Sequence, residues 1–162
     1  MKHDHVGIAV EGVDVGGFEA VPARRLSDST WELLNSPLYA MDAAAGDVVK
    51  IVDEESGSFE ILKRGGNVCV QVYLGELDAD DSEATTRLAE NLLRLLSPLG
   101  GRVAGVTPGL VSFTVPARSG LSAIEAVFNH AADLSKGAQW QYANVYDPAT
   151  GDQLEWIRQI KQ

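Results

Sequence analysis

Short apolar runs separated by turn residues mark the first part of the chain. Polar or glycine-containing segments, such as residues 27–29 and 55–57, divide these runs and favour tight turns. The pattern predicts four or five short strands without a helix, as in a small barrel-like or meandering sheet. The clearest strand signals span residues 20–26, 30–34, 47–52 and 58–62.

Longer periodic segments begin after residue 67. Leucines at helical spacing predict a helix over residues 85–96, and a second apolar stripe predicts one over 121–134. The order of strand, helix, strand, strand, helix, strand is that of a split βαβ, ferredoxin-like unit. Both helices are then expected on one face of a single antiparallel sheet. Its strands are predicted by alternating apolar residues over 68–74, 103–106, 110–115 and 139–146.

The two patterns together define the expected fold class, which is α+β. We expect a small β-rich, barrel-like unit over residues 1–66, packed on a ferredoxin-like unit over residues 67–162 that includes a C-terminal extension. Within residues 152–162 the apolar pattern fits an extra strand and a short helix equally well. The open edge of such a sheet can pair with another strand, so a homodimer is one expected assembly.

Composition narrows the class of protein and its compartment. The 162 residues are 45% hydrophobic, which suffices for a core without a disulfide, a metal or another cofactor. No apolar run approaches the roughly 18 residues of a membrane helix, and no secretory signal begins the chain. The single cysteine, Cys69, lies in an apolar run and is predicted to be buried. We therefore expect a cytoplasmic protein.

The net charge of −10 bears on the choice of partner. Duplex DNA and anionic membranes attract basic proteins, so the charge argues against nucleic-acid and membrane partners. A negative field favours basic protein partners and accelerates their association. Acidity also serves solubility alone, and the sequence leaves both explanations open.

Two acidic segments are the candidate partner-binding surface. A solvated loop, with Asp80 or Asp81 capping the following helix, explains the longer segment without any function. As a binding surface, the carboxylates suit a basic protein and Leu77 is a candidate apolar anchor. The shorter segment contains Asp53, Glu54 and Glu55, and the longer one contains Glu76, Leu77, Asp78, Asp80, Asp81 and Glu83.

The sequence contains no recognisable catalytic motif. It lacks a Gly-Lys-Ser phosphate loop, a dinucleotide-binding glycine fingerprint and a nucleophile elbow. His3 and His5 have the composition of a metal-binding pair, but no third ordered ligand accompanies them. His130 is predicted on the surface of the second helix. We therefore assign no catalytic residue and no metal site, and we expect a protein that is not an enzyme.

Three aromatic residues suggest an alternative function. Trp31, Tyr39 and Trp140 are candidates to line a pocket between the two predicted units. A small molecule held there would make the protein a ligand-binding regulatory module.

Several motifs carry a family resemblance. They are Trp31-Glu32-Leu33, the Asn-Ser-Pro-Leu-Tyr-Ala run at 35–40, the Ala-Gly-Asp-Val-Val run at 45–49, Gly65-Gly66-Asn67 and Gly100-Gly101. With these pieces the sequence resembles the bacterial family described as domain of unknown function 4265, over roughly residues 19–146. The resemblance implies single-domain bacterial proteins without assigned catalytic residues, some encoded beside secreted toxins as immunity proteins. Together with the acidic surface, it leads us to expect an immunity-type inhibitor that binds and neutralises a basic toxin domain.

Overall fold

Two antiparallel sheets organise the chain in the computed structural model, which describes residues 4–10 and 17–160. The first sheet is a meander whose strands follow one another in sequence order. Alternate residues of these strands, such as Val21, Ala23 and Val49, are buried in a shared core. The strands are β1 (Asp4–Ala9), β2 (Phe18–Arg25), β3 (Thr30–Leu33), β4 (Val48–Asp53) and β5 (Ser58–Lys63).

The expectation of a barrel-like first unit is wrong, because this sheet is open. β1 and β5 are its two edges. They approach at one corner, where the Ala9 N–H donates to the Gly57 carbonyl at 2.9 Å. Gly57 has a φ of 74°, and a Cβ there would lie 2.9 Å from the Ala9 nitrogen. Among the described residues, no ladder of paired residues extends this contact into a closed barrel.

The second sheet contains four strands with two main helices against one face. Helix α1 (Ser82–Leu96) follows the first of these strands, and α2 (Leu121–Phe128) with the short α3 (Ala131–Leu134) precedes the last. Apolar side chains of both connections pack with Val70, Val72 and Phe113 in one core. This arrangement agrees with the predicted single antiparallel sheet. Its strands are β6 (Asn67–Tyr73), β7 (Arg102–Thr107), β8 (Leu110–Pro116) and β9 (Gln139–Tyr142), in the order β7-β8-β6-β9.

The last strand ends earlier than predicted because a side chain makes the hydrogen bonds to β6 that its backbone would otherwise make. β9 stops at Tyr142, whereas the pattern predicted a strand to residue 146. The Asn144 side chain accepts a hydrogen bond from the Cys69 N–H and donates one to the Asn67 carbonyl, both at 2.9 Å. The side-chain amide of Asn144 thus binds the β6 backbone groups that a further residue of β9 would otherwise pair with.

Two further elements differ from or refine the sequence pattern. The second predicted helix is interrupted at Asn129 and His130: the Asn129 N–H makes the last regular bond, to the Glu125 carbonyl, and the His130 N–H donates to the Val127 carbonyl only three residues back. The C-terminal alternatives are decided in favour of a helix, α4 (Glu155–Arg158). No helix in the described part of the chain is long and apolar enough to cross a membrane.

A long connection between β3 and β4 covers the second face of the second sheet. We call residues 34–47 the connecting segment. Its Ala44 is buried with Cys69 and Ala143, and the Cys69 Sγ lies 3.6 Å from the Pro37 carbonyl. Burial raises the pKa of the Cys69 thiol to about 12. Cys69 is therefore a buried packing residue, as predicted.

Candidate functional site

The longer acidic segment is held on a fixed backbone at the end of β6. Residues Glu76–Asp78 form a single 3-10 turn, and the Leu77 side chain on it is 91% exposed. The Asp78 Oδ2 accepts a hydrogen bond of 2.7 Å from the Ser135 hydroxyl, which in turn accepts the Gly75 N–H at 3.0 Å. These two bonds tie the turn to the chain that follows α3.

The next part of this segment begins helix α1. Asp81 is its N-cap, since the Asp81 Oδ1 accepts the Ala84 N–H at 3.0 Å. Glu83 lies in the first turn, where a negative charge interacts favourably with the helix dipole, and pairs with Arg87 at 3.8 Å. Asp78 and Asp81 therefore have structural roles. Glu76 and Asp80 are exposed carboxylates beside Leu77.

The shorter acidic segment forms the turn between β4 and β5. Asp53, Glu54 and Glu55 are all exposed there. The Asp53 Oδ1 accepts the Glu55 N–H at 3.0 Å, and its carbonyl accepts the Gly57 N–H at 2.8 Å. This turn belongs to the first sheet, whereas the longer acidic segment belongs to the second. The predicted partner-binding residues thus occupy two separate connections.

The structure does not bring the three predicted pocket aromatics together. Trp140 faces the helices, with its ring 5.6 Å from that of Phe128. The Tyr39 carbonyl accepts a hydrogen bond from the Gln71 side chain on the opposite face of the same sheet. Trp31 lies in β3 of the other sheet, beneath the guanidinium of Arg25 at 5.6 Å. Trp140 is therefore a half-buried residue packed against the core of the helix face, and the other two rings lie apart from it.

A cleft of about 400 Å³ lies elsewhere between the two halves of the chain. The sequence pattern gave no sign of it, because its walls come from β1, β5, the connecting segment and the chain after β9. Its lining is mixed apolar and polar, with two carboxylates and no Lys or Arg. The lining residues are Ala9, Met41, Asp42, Ser58, Phe59, Ala143, Tyr146, Asp147, Pro148 and Leu154.

Asp42, at this cleft, has an unusual backbone conformation. Its φ is 67°, and it is the one non-glycine residue with a positive φ among residues 4–10 and 17–160. Asp tolerates this left-handed region better than most residues. Its N–H donates to the Ala143 carbonyl at 2.8 Å, and its carbonyl and carboxylate both accept from Arg64 at 2.7 Å. Arg64 also stacks 5.4 Å from the Trp156 ring, so it links three parts of the chain.

The contacts of Asp47 explain the Ala-Gly-Asp-Val-Val run at 45–49 and its link to Gly65. Its buried carboxylate accepts the Ala44 N–H at 3.0 Å and the Gly65 N–H at 2.8 Å, and lies 3.4 Å from the Arg64 guanidinium. Burial raises the pKa of Asp47 to about 6, although these partners oppose the shift. A Cβ on Gly65 would lie 2.4 Å from the Gly46 carbonyl carbon. The motif residues therefore join two backbones that only glycine lets approach so closely.

Metal-ligating side chains are not grouped in the described part of the chain. Among residues 4–10 and 17–160, no three His, Cys, Asp or Glu side chains are placed to hold a metal ion. His5 lies in β1, and His3 lies outside the described residues.

The sequence matches the family described as "Domain of unknown function (DUF4265)" over residues 19–140. The chain belongs to this family. The resemblance drawn from its motifs is therefore confirmed. No curated protein matches the sequence.

A crystal structure of a hypothetical protein from Neisseria gonorrhoeae has a similar fold. The two structures superpose with a TM-score of 0.63 over 88% of this chain and 95% of that chain, at 17% sequence identity. At this identity the likeness shows a shared fold and nothing of function.

Proposed function

We propose that this protein is a non-enzymatic, cytoplasmic immunity-type inhibitor that binds and neutralises a basic toxin domain. The observation that carries the proposal is Leu77, which is 91% exposed on a fixed turn between exposed carboxylates. An apolar side chain surrounded by a charged rim has the composition of a protein-binding surface. Asp53, Glu54 and Glu55 contribute a second acidic surface on the first sheet.

Preorganisation of the turn supports a role in binding. The Asp78–Ser135 hydrogen bond and the Asp81 helix cap fix the backbone that carries Glu76, Leu77 and Asp80. A surface that is already ordered loses less conformational entropy when a partner binds. The net charge of −10 attracts a basic partner and raises its association rate.

The finer description of the fold that we propose is a ferredoxin-like unit over residues 67–162, packed on the sheet of residues 1–66. Its support is the strand order β7-β8-β6-β9, with a helical connection after β6 and another after β8. The two exposed edges, β7 and β9, are the places where a second copy of this chain would pair.

The test uses the basic toxin domain encoded next to this protein and compares two matched double variants. Glu76→Lys with Asp80→Lys should slow association and flatten its dependence on salt, because rim charges act mainly on encounter. Asp4→Lys with Glu90→Lys makes the same change in net charge at exposed positions outside both acidic segments and should affect association less. Leu77→Ala should raise the dissociation rate about tenfold.

Two results would contradict the proposal. One is an association rate that both double variants change equally, which would leave only the net charge as its cause. The other is failure of the wild-type protein to protect cells that express the neighbouring toxin.

A second candidate function is that of a small-molecule-binding regulatory module. The cleft favours it, since about 400 Å³ lies within the usual size of ligand sites. A ligand bound there should raise the melting temperature of the wild-type protein and do so less for Phe59→Ala. Equal stabilisation of both proteins would contradict binding in the cleft.

A further inference from the structure

A group of exposed aromatic and methionine side chains adjoins the cleft. Tyr39, Met41 and Tyr73 are 47%, 38% and 41% exposed, and we call them the tyrosine patch. Gln141 joins them: its side-chain nitrogen lies 4.0 Å from the Met41 sulfur, and it donates at 2.8 Å to the side chain of Gln71, two residues before Tyr73 on β6. Met41 also lines the cleft, so the patch and the cleft form one continuous surface. Tyr and Met are enriched in protein interfaces.

The backbone that carries the patch is held in place before any partner binds. The Glu19 carboxylate on β2 accepts the N–H groups of Leu38, Tyr39 and Ala40. The Gln71 side chain donates to the carbonyls of Leu38 and Tyr39 at 3.1 and 3.3 Å. The backbone at Tyr39 is therefore held through its N–H groups by Glu19 and through its carbonyls by Gln71. An exposed aromatic ring on a backbone that is already ordered suits a binding anchor.

The charge around the cleft is negative. Asp42 and Asp147 belong to its lining, which contains no Lys or Arg. The acidic turn of Asp53 to Glu55 is adjacent, because Asp53 pairs with the cleft residue Ser58. Arg64 nearby is neutralised by Asp42 at 2.7 Å and Asp47 at 3.4 Å, so Asp147 is the lining carboxylate whose charge is offered to a ligand.

The walls of the cleft suit a cation on an apolar stem. Phe59, Met41 and Tyr146 offer apolar and aromatic surface, and Tyr146 is 45% exposed. Aromatic faces attract guanidinium and ammonium groups, and a carboxylate at the same site adds a charge-assisted hydrogen bond. An arginine or lysine side chain combines the two features, since its methylene stem packs on apolar walls while its charged end meets a carboxylate.

We propose that the cleft and the tyrosine patch form a docking surface for a basic protein segment, whose arginine or lysine side chain enters the cleft. The inference rests on the proposed function only for the basic character of the partner. It assigns this basic side chain to the face that carries Met41 and Tyr146, as a contact separate from the turn that carries Leu77.

The test is a titration followed by NMR with two capped tripeptides, leucine-arginine-leucine and leucine-citrulline-leucine. The side chains have nearly the same shape, but citrulline is neutral. The arginine peptide should cause saturable shifts at Phe59, Ala143 and Tyr146, and it should bind at least about tenfold more tightly than the citrulline peptide.

Variants of the full chain locate the contact. Asp147→Asn should weaken the arginine peptide to near the affinity of the citrulline peptide. The asparagine side chain keeps an acceptor for the Ala149 N–H, which Asp147 Oδ1 now binds at 2.8 Å, so the local turn is preserved. Tyr39→Ala should weaken both peptides equally, because it removes apolar contact without a charge. Glu90→Gln, at an exposed position of α1 outside both proposed binding surfaces, is the matched control and should leave both affinities unchanged.

Several outcomes would overturn the inference. Equal binding of the two peptides, or shifts confined to Glu76–Asp78, would remove the cleft from recognition of a basic side chain. Tighter binding of a neutral small molecule at Phe59 and Tyr146 would favour the regulatory module. If the arginine peptide binds in the cleft but the neighbouring toxin domain does not bind the protein, the inference stands and the proposed inhibitor function fails.

Discussion

The two faces of the second sheet are both buried, but by different means. Toward the helices, β6 and β8 present apolar residues such as Val70 and Phe113, which pack in a continuous core. Toward the connecting segment the same strands present Gln71, Ser112 and Thr114, which are as fully buried. One face is held by close packing and the other largely by hydrogen bonds to a segment without regular structure.

The difference teaches how an irregular segment can be fixed in one position. The hydroxyls of Ser36 and Thr114 share a hydrogen bond of 2.6 Å, and the Asn35 side chain donates to the Ala104 carbonyl at 2.7 Å. Apolar contact tolerates sliding, whereas hydrogen bonds in a buried place require particular partners. The polar face therefore fixes the positions of Tyr39, Met41 and Asp42. Met41 and Asp42 in turn form part of the cleft wall.

The largest expected effect is on the helix face. Phe113→Ala should lower the free energy of unfolding by about 3–5 kcal/mol, because it leaves a cavity among close-packed side chains. The ring of Phe113 lies 5.3 Å from that of Phe128 in an edge contact that is also lost. Urea unfolding followed by circular dichroism measures the change.

The adjacent residue gives the matched comparison on the polar face. Thr114→Val keeps the volume and removes the hydroxyl that Ser36 contacts, at a cost of about 1–2 kcal/mol. Its effect on the amide shifts of the connecting segment should exceed that of Phe113→Ala. If Thr114→Val lowered the free energy of unfolding as much as Phe113→Ala, the proposed difference between a close-packed face and a hydrogen-bonded face would be wrong.

An intermediate effect, dependent on pH, is expected at Asp47. The pKa of about 6 in the folded protein lies above the usual 3.8, so the folded state holds this proton more tightly than the unfolded chain. The contribution of Asp47 to stability is therefore greatest below about pH 4 and is lost as the pH rises to 6 and above. The loss is at most about 3 kcal/mol, since each pKa unit corresponds to about 1.4 kcal/mol.

Asp47→Asn isolates this contribution. The variant lacks one of the two acceptor oxygens that Ala44 and Gly65 use, so it should be less stable than the wild type at every pH. The difference in unfolding free energy between the two proteins should shrink between pH 4 and pH 6.5. A difference that grows with pH would show that the ion pair with Arg64 outweighs burial and lowers the pKa of Asp47 instead.

Sequence patterns predicted the regular elements well where apolar residues alternate or recur. Val68, Val70 and Val72 identified β6, and the leucine stripe identified α1. β1 was missed, because its two buried residues, Val6 and Ile8, make too short a signal after a polar start. The break between α2 and α3 was also missed, since no glycine or proline marks Asn129.

The surfaces were harder to predict than the elements. The exposed position of the acidic residues follows from their charge, but which of Asp80 and Asp81 caps α1 depends on backbone angles. The connecting segment has no periodicity, and its packing rests on small residues such as Ser36 and Ala44. The cleft is lined by Met41, Phe59 and Asp147 from distant parts of the chain, so no local sequence pattern predicts it.

The smallest effect, with the opposite sign, is expected at Ser112 on the polar face. Its hydroxyl is fully buried, and it finds no hydrogen-bond partner among the described residues. A buried polar group without a partner costs the free energy of removing it from water, so Ser112→Ala should leave stability unchanged or raise it by up to about 1 kcal/mol. Thermal unfolding of the variant beside Thr114→Val measures the sign. A loss of more than about 1 kcal/mol would show that the hydroxyl is hydrogen-bonded, as by a buried water molecule, and that the polar face is satisfied throughout.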